Sequence, residues 1–274
     1  MAIRVSPQTT ADPADVSAAR AGGAAAFFDL DNTLIQGASL FHLARGLAAR
    51  KILTTRQIAR YGWEQLAFRT RGERAGQLEK TRSRALSFAE GQSVTEFSRI
   101  CQEIFEEFLA SRIWPGTRAL AQAHLGRGEP VWLLTAAPHE LAQIVAERLG
   151  LSGALGTVAE AVGGVYSGRL CGQVLHGSAK GDAMRELATR EGYSLLSCHA
   201  YSDSANDLPM LCAVGHPHAV NPDYRLRRYA KEQGWPVVDY RTGTRMFRLG
   251  TRKAVAVDSG ASTAETGLRR AARR

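Results

Sequence analysis

Two carboxylates two residues apart, Asp29 and Asp31, stand where an apolar run ends at a polar, turn-forming Asp-Asn. Alternate side chains of a strand share a face, so both acids can point the same way. Adjacent acids repel and desolvate each other, which a cation or a proton-transferring reaction must offset. The pair therefore suggests a nucleophile, an acid/base and a metal site. Three other places carry matching residue types: Thr135 in Trp132-Leu133-Leu134-Thr135-Ala136, Lys180 at the start of a helical stretch, and Asp203 with Asp207 in Tyr201-Ser202-Asp203-Ser204-Ala205-Asn206-Asp207.

Each has a role in phosphoryl transfer. A carboxylate that attacks phosphorus needs its own charge and that of the phosphate masked, by a magnesium ion on oxygen ligands and by a cationic side chain. Asp29 and Asp203 suit the metal, and Lys180 suits the phosphoryl oxygens. Thr135 and Asn206 offer neutral donors. Asp31 can protonate a leaving alkoxide and later deprotonate the water that opens an acyl-phosphate. Taken singly, Thr135 also reads as a strand-end cap, Lys180 as a solvated helix residue, and Asp203 and Asp207 as turn and N-cap acids. Their order and spacing together favour the chemistry.

The elements that must position these residues follow from periodicity. Residues 24–30 form a short apolar run and read as a buried strand. From 40 to 113 apolar residues recur every three or four positions, which predicts an all-helical insert closed by Trp114-Pro115-Gly116. Beyond it, strands are predicted at 130–135, 195–202 and 236–238, with another ending near 218–220. Helices are predicted at 138–149, 179–191 and 222–233. Residues 158–170, with Gly163-Gly164 between apolar residues, predict a β-hairpin on the rim. Alternating strands and helices imply an α/β fold, a doubly wound parallel sheet covered on both faces, with its ligand at the carboxyl ends of the strands.

Composition bounds the function. The 274 residues carry a formal net charge of +9, but residues 241–274 hold nine basic against two acidic residues and residues 40–114 hold thirteen against eight. Basic character is thus concentrated in an insert and a tail, and a nucleic-acid- or membrane-surface-binding function rests on the tail alone. Residues 1–23 and 249–274 lack apolar periodicity and read as disordered ends, the second basic. No apolar run approaches the ~20 residues needed to span a bilayer, and residues 1–23 lack the apolar middle of a secretory signal, so the expected location is cytoplasmic. Cys101, Cys171, Cys198 and Cys212 form no CxxC pair and there is no His-rich ligand spacing, so neither a disulfide framework nor a zinc site is indicated.

With these motifs in this order, the chain resembles the haloacid dehalogenase superfamily, in a phosphoserine phosphatase-like subfamily. Asp29-Leu30-Asp31-Asn32-Thr33 matches its first motif, DxDxT/V; Thr135, Lys180 and Asp203 with Asp207 match the second to fourth. The resemblance implies an α/β core formed by 24–39 and 115–248 and a helical cap at 40–114. It also implies an enzyme that hydrolyses a small phosphorylated metabolite with Mg2+. Asp29 would be the nucleophile, Asp31 the acid/base and a metal ligand through its carbonyl, and Asp203 a metal ligand. Thr135, Ala136, Lys180 and Asn206 would bind phosphate, with Asp207 supporting Lys180. An Asp at position 31 implies fast hydrolysis, as in phosphatases, where the ion pumps of the superfamily have Thr. Phosphoserine phosphatases carry a Glu for the substrate ammonium where this chain has Ala38, and a cap Arg for its carboxylate, to which Arg82 or Arg84 corresponds. Ala38 therefore argues for a phosphomonoester other than phosphoserine.

Overall fold

The computed structural model describes residues 22–52 and 90–241. Arg82, Arg84, residues 53–89 of the 40–114 insert, the 249–274 tail and all but the last two residues of the 1–23 extension lie outside the described residues. Those last two belong with the core: Gly22 donates to the Gly192 carbonyl at 2.7 Å and Gly23 bridges to Tyr193.

Six strands form one parallel sheet: β1 (Ala26–Asp29), β2 (Val131–Pro138), β3 (Gly153–Thr157), β6 (His199–Ser202), β7 (His216–Val220) and β8 (Val237–Val238), in the order β3-β2-β1-β6-β7-β8. An antiparallel pair, β4 (Ala159–Val162) and β5 (Val165–Leu170), stands apart from it. The helices are α1 (Ser39–Ala49), α2 (Val94–Ile104), α3 (Pro115–Gly126), α4 (His139–Leu149), α5 (Ser178–Glu191), α6 (Leu208–Leu211) and α7 (Tyr224–Glu232). Among the described residues no helix is long and apolar enough to cross a membrane.

Side-chain alternation along β1 divides the core. Phe28 joins Leu133, Leu141 and Val145 on one face, while Phe27 joins Leu134, Met184, Leu187 and Leu226 on the other. β1 is thus buried on both faces, which explains its continuous apolar run. Strands progress outward from β1 in one direction and from β6 in the other. The point where the order diverges, the usual ligand crevice of such sheets, lies beside Asp29 and Asp203.

Several boundaries differ from the sequence reading. The predicted strand 195–202 begins with a 3-10 turn at Leu195–Ser197, closed by Cys198 N–H on the Leu195 carbonyl at 3.1 Å, and becomes extended only at His199. Strand β3 and helix α3 were not anticipated. Pro115 begins α3 at a helical first-turn position, where a missing N–H costs nothing. The predicted hairpin is present, and its outer edge also pairs with the returning insert: Tyr166 N–H donates to the Gln92 carbonyl at 3.0 Å and Val94 N–H to the Gly164 carbonyl at 3.0 Å. Ser93 caps α2 by accepting from Glu96 N–H.

Candidate active site

Asp29 is the last residue of β1 and is buried. The chain then turns through Asn32, whose φ of 55° suits a residue tolerant of the left-handed region. The turn brings Thr33 back, so its hydroxyl donates to Asp29 Oδ2 at 3.1 Å. It also brings Ser39, at the start of α1, to donate its amide to Asp31 Oδ1 at 2.8 Å. Asn221, itself at φ 48°, fixes the turn from β7 by donating to the Asn32 carbonyl at 2.7 Å and accepting from Tyr240 N–H at 2.7 Å.

Lys180 enters from the first turn of α5 and is buried. Its ammonium donates to Asp29 Oδ1 and, at 2.8 Å, to Asp207 Oδ2. Ser202, the last residue of β6, donates to the same Asp207 oxygen at 2.7 Å. The Asp203 carbonyl accepts from Asp223 N–H at 2.7 Å, and the Asp223 carboxylate accepts from Ala205 N–H at 3.0 Å. Thr135 lies one residue beyond Leu134, the register partner of Asp29, and its hydroxyl accepts from Ala137 N–H at 3.1 Å. The Ala136 carbonyl is held by the Thr157 hydroxyl at 2.8 Å. Asn206 is exposed, and only its backbone has a bond here, N–H to Ser204 Oγ at 3.2 Å, so it stands apart from the buried network. Thr33, Ser202, Asn221 and Asp223 were not singled out for roles from sequence. Only Thr33 carried a signal, its place in the DxDxT motif.

Four acids, Asp29, Asp31, Asp203 and Asp207, surround one ammonium. Burial pushes the Asp29 carboxyl up to about 7, with Lys180 pulling it back and Asp207 and Asp31 adding repulsion. Burial likewise lifts Asp203 to about 8, reinforced by the charges of Asp29, Asp207 and Asp31. Asp31 is raised by burial in spite of its bonds to Ser39. Burial acts to lower Lys180, but Asp29 and Asp207 outweigh it and hold the ammonium above the ordinary lysine range. Negative charge in excess of its local cation, carried entirely on hard oxygen donors, fits a small divalent ion of the magnesium type. Asp29 and Asp203 offer carboxylate oxygens that could hold one.

Three comparisons bear on this arrangement. The chain matches the family described as haloacid dehalogenase-like hydrolase over residues 26–212. It is 49% identical over 252 residues to a Mycobacterium tuberculosis protein named phosphoserine phosphatase SerB1, covering 91% of this chain and 82% of that one. Among solved structures it is similar to a protein of unknown function from Bordetella pertussis Tohama I, with a TM-score of 0.72, 26% identity, and 80% of this chain and 99% of the other covered. It is also similar to a substrate-bound phosphoserine phosphatase complex, with a TM-score of 0.55 and 19% identity, covering 75% and 89% of the two chains.

Proposed function

The chain belongs to the haloacid dehalogenase-like hydrolases, as a phosphatase of that family, and on that premise we propose that it hydrolyses a small phosphomonoester through an aspartyl-phosphate at Asp29. The observation that carries this reading is the Lys180 ammonium bridging Asp29 and Asp207 at the carboxyl ends of the strands, with Asp31 beside it on the Ser39 amide.

In this mechanism Thr33 and Lys180 orient the Asp29 carboxylate, whose free lone pair attacks phosphorus. Lys180 offsets charge on the phosphoryl oxygens, and the Thr135 hydroxyl with main-chain groups around Ala136 receives them. Asp31 gives its proton to the leaving alkoxide and then takes one from the water that hydrolyses the acyl-phosphate. A bound magnesium ion would supply the positive charge that keeps the crowded carboxylates ionised. Ala38 is a half-buried residue at the N-cap of α1, next to Ser39, whose amide binds Asp31. An uncharged methyl there offers nothing to a substrate ammonium, which favours a phosphomonoester other than phosphoserine. A cytoplasmic setting belongs to the same proposal, supported by the four unpaired cysteines.

Phosphoserine phosphatase is the second reading, favoured by the 49% identity to a protein of that name. Magnesium-dependent phosphate release from an aryl phosphate tests the chemistry. Asp29→Asn should lower it by about 10^3-fold or more, and a folded wild type that releases no phosphate removes the proposal. A panel of phosphorylated metabolites separates the substrates: wild type should favour others over phosphoserine, and Ala38→Glu should raise its relative rate on phosphoserine. A wild-type preference for phosphoserine establishes the second reading.

A further inference from the structure

The amino-terminal edge of the sheet carries a second group of ligand-type residues. His199 is the first residue of β6, four residues before Asp203 and so about 13 Å along the strand at ~3.3 Å per residue. His124 lies in the last turn of α3 and is buried; Glu129 follows in the turn before β2. A nitrogen of each imidazole and a carboxylate oxygen of Glu129 all lie within 4.8 Å of one another.

A cationic side chain already lies against the group. Arg127 donates one guanidinium N–H edge to His124 Nδ1 at 2.8 Å and to Glu129 Oε2 at 2.9 Å. Nδ1 thus faces both the guanidinium and the Glu129 carboxylate, while Nε2 lies 2.7 Å from the Tyr201 hydroxyl, and the ring's tautomer sets which of these bonds it donates. His124 Nδ1 and Glu129 Oε2 are also in direct contact. A ring nitrogen and a carboxylate oxygen therefore converge, with the Arg127 guanidinium against both. Tyr201 fixes the ring from its far side, as outer partners do for metal-binding imidazoles. His199 closes the third side, its own Nδ1 3.1 Å from His218 Nε2 and its ring stacked on His216 at 4.6 Å.

We propose that His124 Nδ1, a Glu129 carboxylate oxygen and one nitrogen of His199 form a site for a divalent transition-metal ion of the zinc class, separate from the acidic site at the other end of β6. Ligand atoms around a tetrahedral ion with bonds of 2.0–2.1 Å stand about 3.4 Å apart, so side-chain rotations within the present cluster suffice to close it. Arg127, whose side chain is 52% exposed, leaves for solvent when the ion takes its place. Two nitrogens and one oxygen select zinc, cobalt or nickel over magnesium, which the all-oxygen site prefers. Burial, together with the neighbouring His124 and His216, holds the His199 imidazolium down to about 4. The Arg127 hydrogen bond pulls Glu129 down to about 2. The ion would cross-link the α3–β2 turn to the first residue of β6.

Co2+ titration of the full-length, tag-free protein, followed by visible absorption and by displacement with Zn2+, tests the assignment. Wild type and Asp203→Asn should give the same nitrogen-ligated Co2+ spectrum. His199→Ala and Glu129→Gln should each weaken binding by at least about tenfold, with unfolding temperatures of the metal-free proteins verifying their folds. Glu129→Gln alters a partly exposed side chain and keeps the test decisive where a histidine variant fails to fold. Equal Co2+ affinity in wild type and Glu129→Gln overturns the proposal, as does a spectrum lost in Asp203→Asn but kept in His199→Ala.

Discussion

Ser202 shows how much of the acidic site depends on residues that touch no substrate. Fully buried, it gives its hydrogen to Asp207, which holds Lys180, which holds Asp29. Ser202→Ala removes one charge-assisted hydrogen bond and should cost about 1.5–3 kcal/mol of stability, read as a lower urea midpoint. Because Lys180 then loses its fixed position, kcat should fall by up to about 10^2-fold, the cost of a misplacement near 1 Å, with KM changing little. A kcat unchanged in a destabilised variant would confine Ser202 to a structural role. The acids, Lys180 and Thr135 were legible in sequence because their types and order carry chemistry. Ser202, Asn221 and Asp223 were not, since nothing in a single chain marks a serine or asparagine as the donor to one particular acid. The histidine cluster was equally hidden, and the expectation of no zinc site rested on local spacing. His124 and His199 are neighbours only because of how α3 and β6 pack, a consequence of strand order rather than of any motif.

Elements were legible where burial imposes a simple pattern and obscure where close approach replaces it. β1 and the core of β2 are read from apolar runs. β3, Gly-Ala-Leu-Gly-Thr, has almost no apolar signal because its glycines accommodate neighbours: a Cβ on Gly153 would meet the Trp132 ring, and one on Gly156 the backbone of Ala137 and His139. The strand predicted over 195–202 fails at its start for a related reason. Gly215 packs directly on the Leu196 carbonyl, and the 3-10 turn there leaves the Leu196 side chain 81% exposed. Gly215→Ala has no space to relax into, since the obstructing atom is backbone. It should destabilise by about 3 kcal/mol or more, measured by urea unfolding; a change under about 0.5 kcal/mol, as for an ordinary surface site, would show that the 3-10 turn yields.

Across the whole molecule, charge and chemistry are separated. The 249–274 tail holds six basic against two acidic residues, +4 of the net +9, while the four acids and Lys180 of the site lie within 26–212, the span of the family match. Removing residues 249–274 should therefore leave kcat/KM for an aryl phosphate within about twofold, a difference well under 1 kcal/mol. It should also abolish any salt-dependent adsorption to polyanions. A large loss of hydrolysis on truncation would tie the tail to the site. The β4–β5 hairpin and the insert it touches join in a different way. Main-chain bonds run from Tyr166 and Gly164 to residues 91–94, so the insert is held to the core's own chain by a strand-like seam as well as by its two covalent ends. Residues 97–109 also share a buried cluster with β1, β2 and α4, and Arg148 of α4 donates to Glu106, so the seam adds to side-chain packing. The amides of Gly91, Val94 and Tyr166 should exchange with deuterium as one cooperative group, and any substrate that draws the insert down should slow all three together.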